Sequence, residues 1–137
     1  MFVVDASVWV SRFLRTDRFH AASTTWLADR ILRGDSLFSP SLLPELAGAL
    51  SRRSGRPRQG HEAVAAVERT PGVDLRSLDE HLIRLATQVA SDLRLRGADA
   101  IYYALARELQ APLVTWDGEF TERRDIDVSV LTPFDAR

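Results

Sequence analysis

Two short runs rich in apolar residues each end at an aspartate. Phe2-Val3-Val4 stops at Asp5, and Pro112-Leu113-Val114-Thr115-Trp116 stops at Asp117. Runs without apolar/polar alternation suit strands covered on both faces, as in a parallel sheet. Helical patterns separate the strand-like runs along the chain. Strands alternating with helices imply an α/β fold, a three-layer α/β/α sandwich around a central parallel sheet. Such sheets bind ligands beyond the carboxyl ends of their strands, where the strand order reverses. If the first and fourth strands are neighbours at that switch point, Asp5 and Asp117 converge on one spot.

The remaining elements follow from breakers and caps. Ser7 is read as the N-cap of a helix through Leu14, and a second helix covers about His20 to Arg33, ended by Gly34. A strand spans Leu37 to Ser39. Pro40 then opens a helix to about Arg53. Residues 54–60 form a Gly/Pro/Ser break, and another helix follows from about His61 to Arg69. A strand spans Val73 to Ser77. Asp79 caps a helix to about Leu95, and a further helix runs from Ala98 to Leu109. Leu113 to Trp116 and Val128 to Leu131 are the last strands. No repeat or linker is visible, so 1–137 reads as a single domain.

Four carboxylates lie in or against apolar sequence: Asp5, Glu45, Asp99 and Asp117. Asp99 begins a helix, where the N-terminal dipole favours its ionised form. Glu45 lies one turn inside a helix that opens on the same edge of the sheet. A buried ionised carboxylate needs an opposite charge or a metal. The chain has no Lys, and no Arg adjoins Asp5 or Asp117 in sequence. A hard divalent ion, Mg²⁺ or Mn²⁺, is the natural counter-charge for an all-oxygen set. Such ions can activate water and stabilise phosphoryl transition states, which points to phosphodiester hydrolysis. Each acid has a plainer reading too. Asp5 and Asp99 could be helix caps, Glu45 a solvated helix residue, and Asp117-Gly118 a turn. Ser7 and Thr115 stand two residues from Asp5 and Asp117, placed to hydrogen-bond a carboxylate or a metal-bound water.

Composition narrows the alternatives. The chain contains no Cys, which excludes disulfides, zinc–thiolate sites and thiol catalysis. A net charge of −1 means that any polyanion must be held by a local basic patch or through metal. All 18 basic residues are Arg. Without Lys, neither a receiver domain's acidic pocket nor the usual haloacid-dehalogenase set can be assembled. No Gly-rich phosphate loop follows a strand. His20, His61 and His81 share no spacing and are read as structural. No signal peptide or membrane-length apolar run is visible, and the expected location is the cytoplasm.

Taken in order, Val3-Val4-Asp5-Ala6-Ser7, Glu45 in the third helix, Gly97-Ala98-Asp99-Ala100-Ile101-Tyr102-Tyr103-Ala104-Leu105-Ala106 and Leu113-Val114-Thr115-Trp116-Asp117-Gly118-Glu119-Phe120 resemble the PIN domain. More narrowly, the chain resembles the VapC toxins of bacterial and archaeal toxin–antitoxin pairs. That resemblance spans nearly the whole chain. It implies a Mg²⁺- or Mn²⁺-dependent endoribonuclease, usually a homodimer, inhibited by a cognate antitoxin protein. It also implies that Asp5, Glu45, Asp99 and Asp117 are metal-binding, catalytic acids, with Glu119 an additional candidate. Pro44 directly before Glu45 departs from the family pattern and could shift the local register.

Two other functions compete: a housekeeping RNA-processing nuclease of the same fold, and a catalytically silent module that binds RNA or protein. Arg52, Arg53, Arg56 and Arg58 form the densest positive cluster, suited to RNA phosphates or simply to a solvated loop. Trp9, Phe13, Leu14 and Trp26 suit the core, or an apolar face covered by the antitoxin.

Overall fold

The computed structural model describes residues 1–136. Five short strands, β1 (Phe2–Val4), β2 (Leu37–Phe38), β3 (Val73–Asp74), β4 (Leu113–Val114) and β5 (Val130–Leu131), form one sheet in the order β3-β2-β1-β4-β5. All four pairings are parallel. The chain moves outward from β1 to β3, then crosses back to β4 and continues to β5. The reversal therefore falls between β1 and β4, where Val3 pairs with Leu113 and Val4 with Val114. The expected pairing of the first and fourth strands is met; Asp5 follows β1 directly, whereas Asp117 stands three residues beyond the end of β4.

Between β1 and β2 lie α1 (Ala6–Phe13) and α2 (His20–Leu32), and between β2 and β3 lie α3 (Leu42–Ser54) and α4 (Pro57–Glu68). Then α5 (Glu80–Leu93) and α6 (Gly97–Leu109) precede β4, and α7 (Gly118–Thr121) precedes β5. Helix α1 packs on α2 and α3, α3 packs on α4, and α5 packs on α6. Right-handed crossovers running in opposite directions from the switch point put these two groups on opposite faces. Val3, Val4, Leu37, Leu113 and Val114 are fully buried between them.

Several local readings need correction. Asp5, not Ser7, is the N-cap of α1: its carboxylate accepts from the Ser7 N–H, and Ser7 is already helical. Helix α3 begins at Leu42, after Ser41, whose φ of 49° is left-handed. Pro44 therefore stands in the first turn, where an N–H has no intrahelical partner to lose. It leaves Glu45 in that same turn. Helix α4 starts at Pro57 rather than near His61, because Pro fits the first helical position. The expected strands at 73–77, 113–116 and 128–131 shorten to two residues each. The one-turn helix α7 was not expected. Trp9, Leu14 and Trp26 are core residues, and only Phe13 of that group is part-exposed. Trp9 donates through Nε1 to Ser39 Oγ at 3.2 Å, so it is committed to the interior.

Candidate active site

The ends of β1 and β4 are tied together by hydroxyl groups. Asp5 Oδ2 accepts from the Ser7 hydroxyl and from Thr115 Oγ1 at 2.9 Å. Ser7 Oγ in turn accepts from the Trp116 N–H at 3.0 Å, and Thr115 Oγ1 accepts from the Asp117 N–H at 3.0 Å. Both residues singled out beside the acids thus take part in the site. Asp5 is almost fully buried. Burial raises its pKa, against the opposing hydrogen bonds from Ser7 and Thr115.

The structure brings the other three acids to the same place. Glu45 Oε1 accepts from Ser41 Oγ at 2.8 Å, across the left-handed residue that opens α3. Burial raises the Glu45 pKa, the Ser41 hydroxyl opposes, and the nearby charges of Asp5 and Asp99 raise it further. Asp99 lies in the first turn of α6, and burial raises its pKa too. Arg96 opposes that shift, while Asp117 and Asp5 add to it. Asp117 caps α7, accepting from the Glu119 N–H at 2.9 Å. That turn sets the exposed Glu119 beside Asp117 and Asp99. Carboxylate oxygens of Asp99, Asp117 and Glu119 lie within 4.8 Å of one another, forming the one such group found among the described residues. Asp5 and Glu45 stand beside this trio rather than within it.

Two residues were missed by sequence reasoning. Arg96 Nε donates to Asp99 Oδ2 at 2.9 Å, and its Nη2 lies 3.1 Å from Asp117 Oδ2 and 3.4 Å from Glu119 Oε2. Its position three residues before Asp99 was the available signal. Tyr102, three residues after Asp99, is fully buried with its hydroxyl beside Glu45, where it completes no hydrogen bond of ordinary geometry. Burial, then the Glu45 charge, keeps it protonated.

A groove runs from Glu45 and Ser7 along α1 and α3, walled by Arg18, Arg52, Arg53 and Trp116. Of the four arginines expected to act together, Arg52 and Arg53 face this groove. Arg53 also pairs with Asp17 at 2.8 Å, while Arg58 is held by Glu62 at 2.6 Å on α4. Arg18 joins the groove from the α1–α2 loop, with its guanidinium 4.4 Å from the Phe19 ring centre. Phe19 stacks on Trp116 at 3.9 Å.

Four carboxylates from β1, α3, α6 and β4 converging at the switch point of a 3-2-1-4-5 parallel sheet define the architecture. The PIN domain family model matches residues 2–126. The chain belongs to the PIN domain family. Solved PIN-fold structures align over nearly its full length. VapC20 of Mycobacterium tuberculosis, a toxin that cleaves the sarcin–ricin loop, superposes with a TM-score of 0.75 at 22% identity, covering 93% of this chain and 98% of its own. VapBC2 of Rickettsia felis, solved bound to a promoter DNA fragment, gives 0.73 at 12% identity, covering 96% and 97%. FitAcB of Neisseria gonorrhoeae gives 0.65 at 19%, covering 98% and 99%. At these identities the likeness establishes the fold. A comparison with curated protein sequences gives no match.

Proposed function

We propose that this PIN domain is a divalent-metal-dependent endoribonuclease acting as the toxin of a toxin–antitoxin pair. The observation that carries the reading is the convergence of Asp5, Glu45, Asp99 and Asp117 beside a groove walled by arginine. The donor set fits Mg²⁺ or Mn²⁺: every donor is a carboxylate oxygen, and the trio already draws in a cation, Arg96. Asp99, Asp117 and Glu119 would hold the ion, with Asp5 completing the set. When bound, it supplies charge against the developing phosphorane and lowers the pKa of a coordinated water. Ser7 and Thr115 hold the Asp5 carboxylate in one orientation. Glu45, with its raised proton affinity and its place on the groove wall, takes the proton of the attacking water. Arg18, Arg52 and Arg53 hold RNA phosphates along the groove.

The partners follow from the same reading. Structures similar to this chain include a toxin–antitoxin complex from Klebsiella pneumoniae, which supports a cognate antitoxin protein here. We take the chain to be a homodimer working in the cytoplasm. Among the described residues no helix is long and apolar enough to cross a membrane. Sedimentation of the chain alone, then with the product of a neighbouring small gene, checks both assemblies.

The decisive test is induction of the chain in a host, with sequencing of new RNA ends. Wild type should arrest growth and create discrete ends. Asp99→Asn should lower cleavage by at least about a hundredfold while leaving the fold intact. Purified wild type should lose cleavage in excess EDTA. Cleavage undiminished by both treatments rules the reading out.

A further inference from the structure

Arg96 takes no part in the chemistry above. It is the N-cap of α6, with extended backbone (φ −63°, ψ 152°), yet its side chain caps nothing. Instead the guanidinium reaches over the first turn of α6 to the β4–α7 junction. One nitrogen donates to Asp99, and another lies within 3.4 Å of both Asp117 and Glu119. Surface pairing along a helix explains the Asp99 contact alone, since that pair is spaced i,i+3. It does not explain the reach to two acids that follow more than twenty residues later. What explains all three contacts is the local field: three carboxylates this close repel one another. A planar fork with several donors suits three acceptors better than a point charge does.

The Arg96 side chain is 70% exposed, whereas that of Asp99 is 15% exposed. The cation thus lies on the solvent side of Asp99, while the Asp117 and Glu119 side chains keep 29% and 40% exposure. Exposed ion pairs of this kind are weak and exchange readily. A divalent ion reaching the trio would compete with Arg96 for the oxygens it must itself bind.

We propose that Arg96 is a resident counter-ion of the acidic site: it gathers Asp99, Asp117 and Glu119 while no divalent ion is bound, and it competes with that ion for the same carboxylate oxygens. This rests on the metal-binding reading of the site. It makes metal occupancy of the free protein depend on one exposed side chain. Replacing that side chain therefore strengthens metal binding.

The test is Mn²⁺ titration of the full chain, reading free Mn²⁺ by its electron paramagnetic resonance signal, for wild type, Arg96→Gln and Asp117→Asn. Arg96→Gln should bind Mn²⁺ about tenfold more tightly, the effect of removing a unit charge a few ångströms from a divalent ion near water. Its metal-free Tm should fall below that of wild type, and its Tm gain on adding Mn²⁺ should be larger. Binding by Arg96→Gln where wild type binds none supports the inference equally. If wild type binds Mn²⁺, Asp117→Asn loses it, and Arg96→Gln binds no more tightly than wild type, the role of Arg96 is refuted while the metal site stands. If neither wild type nor Arg96→Gln binds, both readings fall. Should Arg96→Gln not fold, Arg96→Met serves instead. It too removes the charge, so several-fold tighter binding is expected, and unchanged affinity overturns the proposal.

Discussion

Asp5 shows how one residue serves both fold and chemistry. It caps α1 and so has an ordinary structural role, yet burial holds its pKa above the usual carboxylate value of 3.8. For an acid, a raised folded-state pKa means that ionisation opposes folding. The penalty is absent below the unfolded value and grows as pH rises toward and through the folded one. Asp5→Asn keeps an oxygen acceptor for Ser7 and Thr115 and removes the charge. In EDTA the variant should match wild type near pH 3.5. At pH 7 it should be the more stable of the two, with the higher Tm. Parallel unfolding curves for the two proteins across that pH range would show that the charge is not strained. The candidacy of Asp5 was legible from its place at the end of an apolar run. Its capping role was misassigned to Ser7, because a Ser two residues on is an equally good cap by type, and only the φ/ψ angles decide. Arg96 was legible only in part: its i,i+3 spacing to Asp99 could be read, but its partners at 117 and 119 become neighbours only through the sheet.

Among the elements, α3 and α4 depend most on close approach. A Cβ on Gly60 would stand 2.6 Å from the Ala47 carbonyl oxygen and 2.6 Å from Ser51 Oγ. Gly60 lies in the interior of α4, where Ala would ordinarily favour the helix by about 1 kcal/mol. The clash with backbone should outweigh that gain. Gly60→Ala is expected to lower stability by about 1–2 kcal/mol, measured by urea unfolding. An unchanged or higher midpoint would mean that the two helices can separate without loss. The sequence placed Gly60 in a break, since Gly, Pro and Ser cluster there. Pro57 instead starts α4, and the glycine serves helix packing rather than a turn. Glu45 survived the local irregularity around it for a comparable reason. Pro44 occupies a first-turn position that needs no N–H, and the unusual backbone is concentrated at Ser41, whose hydroxyl then reaches Glu45. The β4 end was overestimated because Trp116, an apolar residue, follows shortly after the last ladder pair. Trp116 packs on Phe19 and Phe134 rather than in the sheet.

Across the whole molecule, a net charge of −1 conceals separation of sign: carboxylates gather at the switch point, and Arg18, Arg52 and Arg53 wall the groove beside it. Each phosphate held on a single strand contributes roughly −0.7 to the slope of log affinity against log salt. The double variant Arg52→Ala/Arg53→Ala should flatten that slope by about one unit, alike for unrelated RNA sequences. It should leave Tm nearly unchanged, since Arg53 loses only a surface pair with Asp17. A slope equal to that of wild type would show both side chains to be merely solvated. The parallel sheet and the meeting of β1 with β4 were legible because alternation of strands and helices permits few topologies. The groove was not, since its walls come from loops and helices far apart in the chain. One further consequence lies in the contact between Asp5 and Thr115, which are 110 residues apart. Asp5 and Glu45 leave the ribosome before α6 and β4, the elements that bring in Asp99 and Asp117. Such long-range closure is slow and comes late. Until α6 and β4 have emerged, therefore, the nascent chain carries these acids apart, and whatever the assembled site does is postponed with them.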